Sequence, residues 1–121
     1  MCRIIQLNVH RSSVPETNLL QFLSDHDHFI AAIQEPNSRH GKVGGYPHKS
    51  HLFYKKGTAN DRPRSAIWAS TNLKIWYVST YSSLDITTIL WRHPTLGDIY
   101  ITSAYCDVTQ QSVPNILVQL T

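Results

Sequence analysis

The order of apolar runs along the chain predicts a mixed α/β fold, with a largely antiparallel sheet and one flanking helix. Two observations carry this. IIQLN (Ile4 to Asn8) and IAAIQE (Ile30 to Glu35) are short apolar runs separated by one helix-sized stretch, a β-strand, helix, β-strand pattern. From Leu52 onward the texture changes to short runs of β-branched and aromatic residues set between turn residues. With 121 residues the chain fits one domain around one core, and 41% hydrophobic with 16% charged residues excludes a disordered chain.

Taken in order, Arg3 to Val9 reads as a buried strand, rich in Ile, Leu and Val. Ser13-Val14-Pro15-Glu16 reads as a helix start, with Ser13 as N-cap, Glu16 as its capping-box partner and Pro15 in the first turn. Leu19, Leu20, Phe22 and Leu23 supply the apolar face of a helix that ends near Asp25, and Phe29 to Gln34 is the second strand. Pro36 to Ser50 reads as loop, broken by Gly41, Gly44, Gly45 and Pro47. Leu52 to Tyr54, Ser65 to Ser70, Leu73 to Val78, Ile86 to Trp91 and Ile99 to Ala104 are the later strands, with Trp91 facing Ile99 across a hairpin. Asn115 to Leu120, after Pro114, reads as the first turns of a second helix, and a single sheet with one helix would leave one face uncovered.

Parallel strands joined by a crossover end on the same edge of their sheet, so Asn8 and Glu35 are expected to be neighbours where α/β ligand sites form. A carboxylate closing a buried strand beside an Asn is a hard-oxygen arrangement suited to Mg²⁺, which takes one or two carboxylates and keeps its waters. Asn8 can orient a reacting group or contact a phosphate through its amide. Tyr105 ends another strand in SAYCDV, where a phenol can hydrogen-bond a phosphate, and Asp107 beside it is a possible second acid. Without function these are a solvated strand-end Glu, a backbone-satisfying Asn and a Tyr with its ring in the core.

The formal net charge is +3, and its distribution is uneven. Arg39, Lys42, Lys49, Lys55, Lys56, Arg62 and Arg64 lie between Pro36 and Arg64, where the one acid is Asp61. Such a segment, directly after the Asn8/Glu35 edge, suits a polyanion, nucleic acid first, although a solvated loop has the same composition. Several classes are excluded. The seven His lack a Cys pair and the convergent spacing of a zinc site. There is no P-loop, no G-x-G-x-x-G opening a helix and no G-x-S-x-G. Cys2 and Cys106 are too few for a disulfide framework and point to a reducing compartment. No apolar run approaches the ~18 residues of a membrane span, and no secretory leader is recognisable, so a soluble intracellular protein is expected.

These motifs together resemble a known family. RIIQLNVHRS, a helix and then IAAIQEP resemble the opening of the endonuclease/exonuclease/phosphatase (DNase I-like) superfamily. The resemblance is nearest to the apurinic-type endonuclease domains of non-LTR (LINE-like) retrotransposons. GGYP, RPRSAIWAS and IYITSAYCDV follow in matching order, so it covers essentially the whole chain. It implies the N-terminal half of a four-layer α/β sandwich, residues 1–121 being a partial domain truncated at its C-terminal side. It also implies Mg²⁺ (or Mn²⁺) held at Glu35 and Asn8, Asn8 in the active-site hydrogen-bond network, and Tyr105 near the scissile phosphate. The implied reaction is metal-assisted attack of water on a DNA phosphodiester, whose nick primes reverse transcription of the element.

The family's Asp-x-Asn strand end and C-terminal Ser-Asp-His have no counterpart here. The expectation is therefore a fragment inactive alone, prone to self-association, and completed by the missing half or accompanied by the reverse transcriptase of a parent polyprotein. Its partner would be DNA, with nuclear localisation where that DNA is chromosomal. The alternatives are a non-catalytic nucleic-acid-binding remnant, or a phosphatase or lipid phosphodiesterase of the same superfamily.

Overall fold

Arg3–Asn8 forms β1, Ser13–Ser24 forms the helix α1, and Phe29–Gln34 forms β2. β1 and β2 pair in parallel with Asn8 opposite Gln34, so both chains leave the sheet at one edge. The structure is a computed structural model that describes residues 2–44 and 49–106. The expected helix at Asn115 to Leu120, the acid Asp107 and most of GGYP lie outside the described residues.

The helix start differs by one residue from the sequence reading. Ser12, in extended conformation, is the N-cap and its Oγ accepts the Val14 N–H. Pro15 does sit in the first turn. Glu16 does not close a capping box; its Oε2 accepts the Asn37 N–H at 3.3 Å, which ties α1 to the segment leaving β2. Leu19 and Leu23 face the core, whereas Phe22 is exposed and stacks on His26 with ring centroids 4.4 Å apart. That contact suits the helix end, where the Phe22 carbonyl accepts the Asp25 N–H at 3.3 Å and meets His26 Nδ1 at 2.7 Å.

Ser38–Arg39 (β3) and Lys42–Val43 (β4) make a minimal antiparallel hairpin inside the stretch read as loop. Two residues per strand are too few for any hydrophobic period to register. Gly41 at its turn has φ +78°, and a Cβ there would lie 2.1 Å from the Gly57 carbonyl oxygen. Ser50–Phe53 (β5), Ser65–Ser70 (β6), Ile75–Tyr77 (β7), Ile86–His93 (β8) and Gly97–Ala104 (β9) follow. β6 has the bounds read from the sequence, β5 and β7 are shifted or shorter, and β8 and β9 extend into their shared turn. Trp91 does pair with Ile99.

Among the described residues two larger sheets form, beside the β3–β4 hairpin, where one was expected. The first has the order β1-β2-β6-β5 and the second β7-β8-β9. They pack face to face through Ile30, Ile67 and Ala69 of the first and Ile89 and Trp91 of the second. α1 covers the other face of the first sheet, burying Leu19, Leu23, Phe29, Ala31, Ile33 and Trp68. Each of Leu23, Phe29 and Ile33 contributes about 1.5–3 kcal/mol by leaving water. Among the described residues nothing covers the outer side of β7-β8-β9, where Trp76, Tyr81 and Tyr100 are exposed. β2 and β6 are central and wholly buried. β1, read as buried, is an edge strand whose Ile4 is 59% exposed. Its apolar run is satisfied on one side by α1, but no strand of the second sheet is stacked above Ile4 among the described residues.

Candidate active site

Glu35 follows directly on β2, and Asn8 ends β1. The ladder continues past both: the Val9 N–H donates to Gln34 O at 3.0 Å and the Arg11 N–H to Glu35 O at 2.8 Å. Between these bonds the β1–α1 connection makes a tight turn, in which the Asn8 Oδ1 accepts the His10 N–H at 2.8 Å. That bond fixes the Asn8 side chain at the sheet edge.

Three non-glycine residues here have positive φ: His10 at 53°, Arg11 at 56° and Glu35 at 51°. Each costs of order 1–3 kcal/mol and persists only where its surroundings impose it, and such residues cluster at functional sites. They face one another. His10 Nδ1 lies 4.0 Å from Glu35 Oε2, with the carboxylate side chain 21% exposed and the imidazole 74%. Glu35 is thus partly sheltered yet open to a ligand from outside.

Under the edge runs a buried polar chain that joins the sheets. Gln6 Nε2 donates to Gln34 Oε1, and Gln34 Nε2 donates to Ser103 Oγ at 2.9 Å. Ser103 Oγ donates in turn to the Ile33 carbonyl at 2.9 Å, and Ser65 Oγ to the Ser103 carbonyl at 2.6 Å. Ser65 and Ser103 are wholly buried, so these bonds are made in a low-dielectric interior. They set the end of β9 against the end of β2, bringing Tyr105 to the same edge as Glu35. The Tyr105 N–H donates to Asp85 O at 2.8 Å.

The expected bases separate. Arg39 and Lys42 lie on the β3–β4 hairpin, and Lys55, Lys56 and Arg62 on the β5–β6 connection; all five are exposed. Both segments leave the sheet at the Glu35 end, and the Gly57 N–H bonds to Gly41 O at 2.9 Å, joining them. Lys49 sits at the opposite end, where its carbonyl accepts the Thr71 N–H. Arg64 is half-buried and paired with Asp85. Neither belongs to the exposed basic group.

The sequence reading missed His10, Gln34, Ser103 and Asp85. Gln34 and Ser103 were detectable as polar residues at positions whose strand parity is apolar, since Ser103 shares the inner face with Ile99 and Ile101. His10 and Asp85 carried no such signal.

No family model and no curated protein matches the sequence. The structure, however, superposes on the endonuclease domain of TRAS1, a telomere-specific non-LTR retrotransposon, with a TM-score of 0.77 at 17% identity over 98% of this chain. The fold is DNase I-like. The chain spans 52% of that domain. Within this DNase I-like fold, the side chains at the strand ends are those described above.

The donor set bears on which metal fits. Among the described residues no three His, Cys, Asp or Glu side chains converge on one point. The open Glu35 carboxylate is of the kind a hydrated Mg²⁺ would use, since that ion takes one or two carboxylates and keeps its own waters.

Proposed function

We propose that this chain provides the metal-holding part of a DNA-phosphodiester-cleaving site. The observation that carries the reading is the convergence of Glu35, Asn8 and Tyr105 at one edge of a DNase I-like fold, with exposed bases on both flanking connections. Glu35 would hold Mg²⁺ or Mn²⁺, with the Asn8 amide beside it as second ligand or orienting group. The metal would supply Lewis-acid stabilisation of charge on the phosphate and lower the pKa of a bound water. Asn8, fixed by the His10 N–H, would orient a group at the phosphate. Tyr105 would donate a hydrogen bond to a phosphate oxygen. Arg39, Lys42, Lys55, Lys56 and Arg62 would track the DNA backbone and give affinity without sequence preference. In a retroelement the 3′-hydroxyl so released would prime reverse transcription.

A second reading is DNA binding without cleavage, favoured by the exposed bases Arg39, Lys42, Lys55, Lys56 and Arg62, whose phosphate contacts need no metal. Nicking of supercoiled plasmid with Mg²⁺ and with chelator, by the unaltered chain and by Glu35→Ala, separates the two. Mg²⁺-dependent nicking that Glu35→Ala abolishes establishes the enzyme. Retardation of plasmid at low salt with no nicking, equal in both proteins, establishes the binding reading, and cleavage then requires residues supplied from elsewhere.

A further inference from the structure

Arg64 stands in a basic segment but is not placed as a DNA contact. Its backbone and side chain lie in the middle of a chain of bonds that runs from Glu35 to Tyr105. The Glu35 N–H donates to Arg64 O at 3.0 Å, and the Arg64 N–H donates to Leu84 O at 2.7 Å. The Arg64 guanidinium pairs through Nε with the Asp85 carboxylate, and Asp85 O accepts the Tyr105 N–H at 2.8 Å. Glu35 leaves the first sheet and Tyr105 leaves the second, so this path crosses the sandwich at the candidate site. Both partners are half-buried, with side chains 28% and 35% exposed, which screens the pair less than a fully solvated one. Asp85 itself lies in a tight turn, with its N–H donating to Ser83 Oγ at 3.2 Å.

We infer that the Arg64–Asp85 ion pair is a positioning strut that sets Glu35 relative to Tyr105. The inference rests on the reading of those two residues as one site, although the strut itself is a property of the fold. A guanidinium committed to a carboxylate is neutralised, so it adds little to an external phosphate; its Nη1 donates to the Arg62 carbonyl at 3.4 Å. The Gln34–Ser103 bond holds the strand ends from inside the sandwich, and the Arg64–Asp85 pair holds the two departing segments one step further out.

The two roles available to Arg64 predict opposite outcomes for Asp85→Asn. If Arg64 contacts DNA, Asp85→Asn releases its charge and tightens plasmid retention, while Arg64→Gln weakens it. If the pair is a strut, the two variants act alike, because each removes the same link. The direct readout is the amide NMR spectrum without metal. Asp85→Asn is expected to displace the Glu35 amide signal, two links away, and Arg64→Gln the Tyr105 signal. Asp85→Glu, which keeps the carboxylate, is expected to restore both signals, and it serves with Arg64→Lys should the first pair of variants fail to fold. A Glu35 signal that stays in place in Asp85→Asn overturns the strut, as does the opposite-sign pattern in plasmid retention. Line broadening of the Glu35 amide by Mn²⁺ in the unaltered chain tests the site reading separately: its absence refutes the metal assignment and leaves the strut standing.

Discussion

The two ends of β2 are built from similar parts with different results. At the Phe29 end, Ser70 Oγ accepts the Phe29 N–H at 3.1 Å, and Asn72 Nδ2 donates to the Asp27 carbonyl and meets His28 Nδ1 at 2.8 Å. At the Glu35 end, Ser103 takes the corresponding place, bonded to Gln34 and to the Ile33 carbonyl. A cleft of about 570 Å³ lies at the first end, lined by His26, His28, Lys49 and Asn72 among others. Yet the positive-φ residues of the β1–α1 turn, the open strand-end carboxylate and the links to the second sheet all belong to the second end. Left-handed backbone and buried serine bonds occur at both ends, since Lys49 at the first end has φ 58° and Ser70 is bonded to Phe29, so what distinguishes the Glu35 end, the one proposed for chemistry, is its bonds to the second sheet.

The largest effect that would test this contrast comes from the two serines. Ser103→Ala leaves the buried Gln34 amide without its acceptor, and Ser70→Ala removes the acceptor of the Phe29 N–H, so each should cost about 1–3 kcal/mol in urea unfolding. Ser103→Ala alone should also weaken Mn²⁺ broadening at Glu35. Equal metal behaviour in both variants would erase the distinction between the ends. Next is Glu35→Gly, which removes a left-handed Cβ and should change stability little or raise it by up to about 1 kcal/mol. Metal binding should be lost at the same time, and a clear destabilisation would mean that the turn is not strained.

The bases offer a third test. Replacing Lys55 and Lys56 together by Ala should lower the salt slope of DNA binding by about 2, as expected for two phosphate contacts. Lys49→Ala, at the other end, should leave the slope unchanged. A drop for Lys49→Ala would place DNA on the wrong end for this proposal.

The smallest effect concerns Glu16, which joins α1 to the Glu35 end. Burial pushes its carboxyl above the ordinary value of 4.5, partly offset by the Asn37 N–H. A raised folded pKa means that its favourable contribution is fully present below the unfolded pKa and is lost as pH rises through the folded one. Glu16→Gln should therefore gain stability relative to the unaltered chain as pH rises above 4.5, with the two converging in acid. Denaturant midpoints from pH 4 to 8 would show this, and a difference that shrinks as pH rises would reverse the assignment.

The sequence by itself determined the strand, helix, strand opening, the bounds of β2 and β6, the Trp91–Ile99 pairing and the position of Asn8 and Glu35 on one edge. These follow from local rules: an unbroken apolar run of strand length is central, and parallel strands across one crossover finish together. What only the tertiary structure decided was how segments distant in sequence meet. That β5 and β6 extend the first sheet while β7, β8 and β9 stack on it as a second depends on which faces bury each other, as does the exposure of Ile4 on an apolar strand. Arg64 reads like its basic neighbours, but Asp85, 21 residues on, pairs with it. Gln34 and Ser103, 69 residues apart, become a bonded pair because the sandwich closes over them. Period and turn chemistry act over a few residues, whereas desolvation and ion pairing depend on what the folded chain places alongside, and that is set by the packing of the whole.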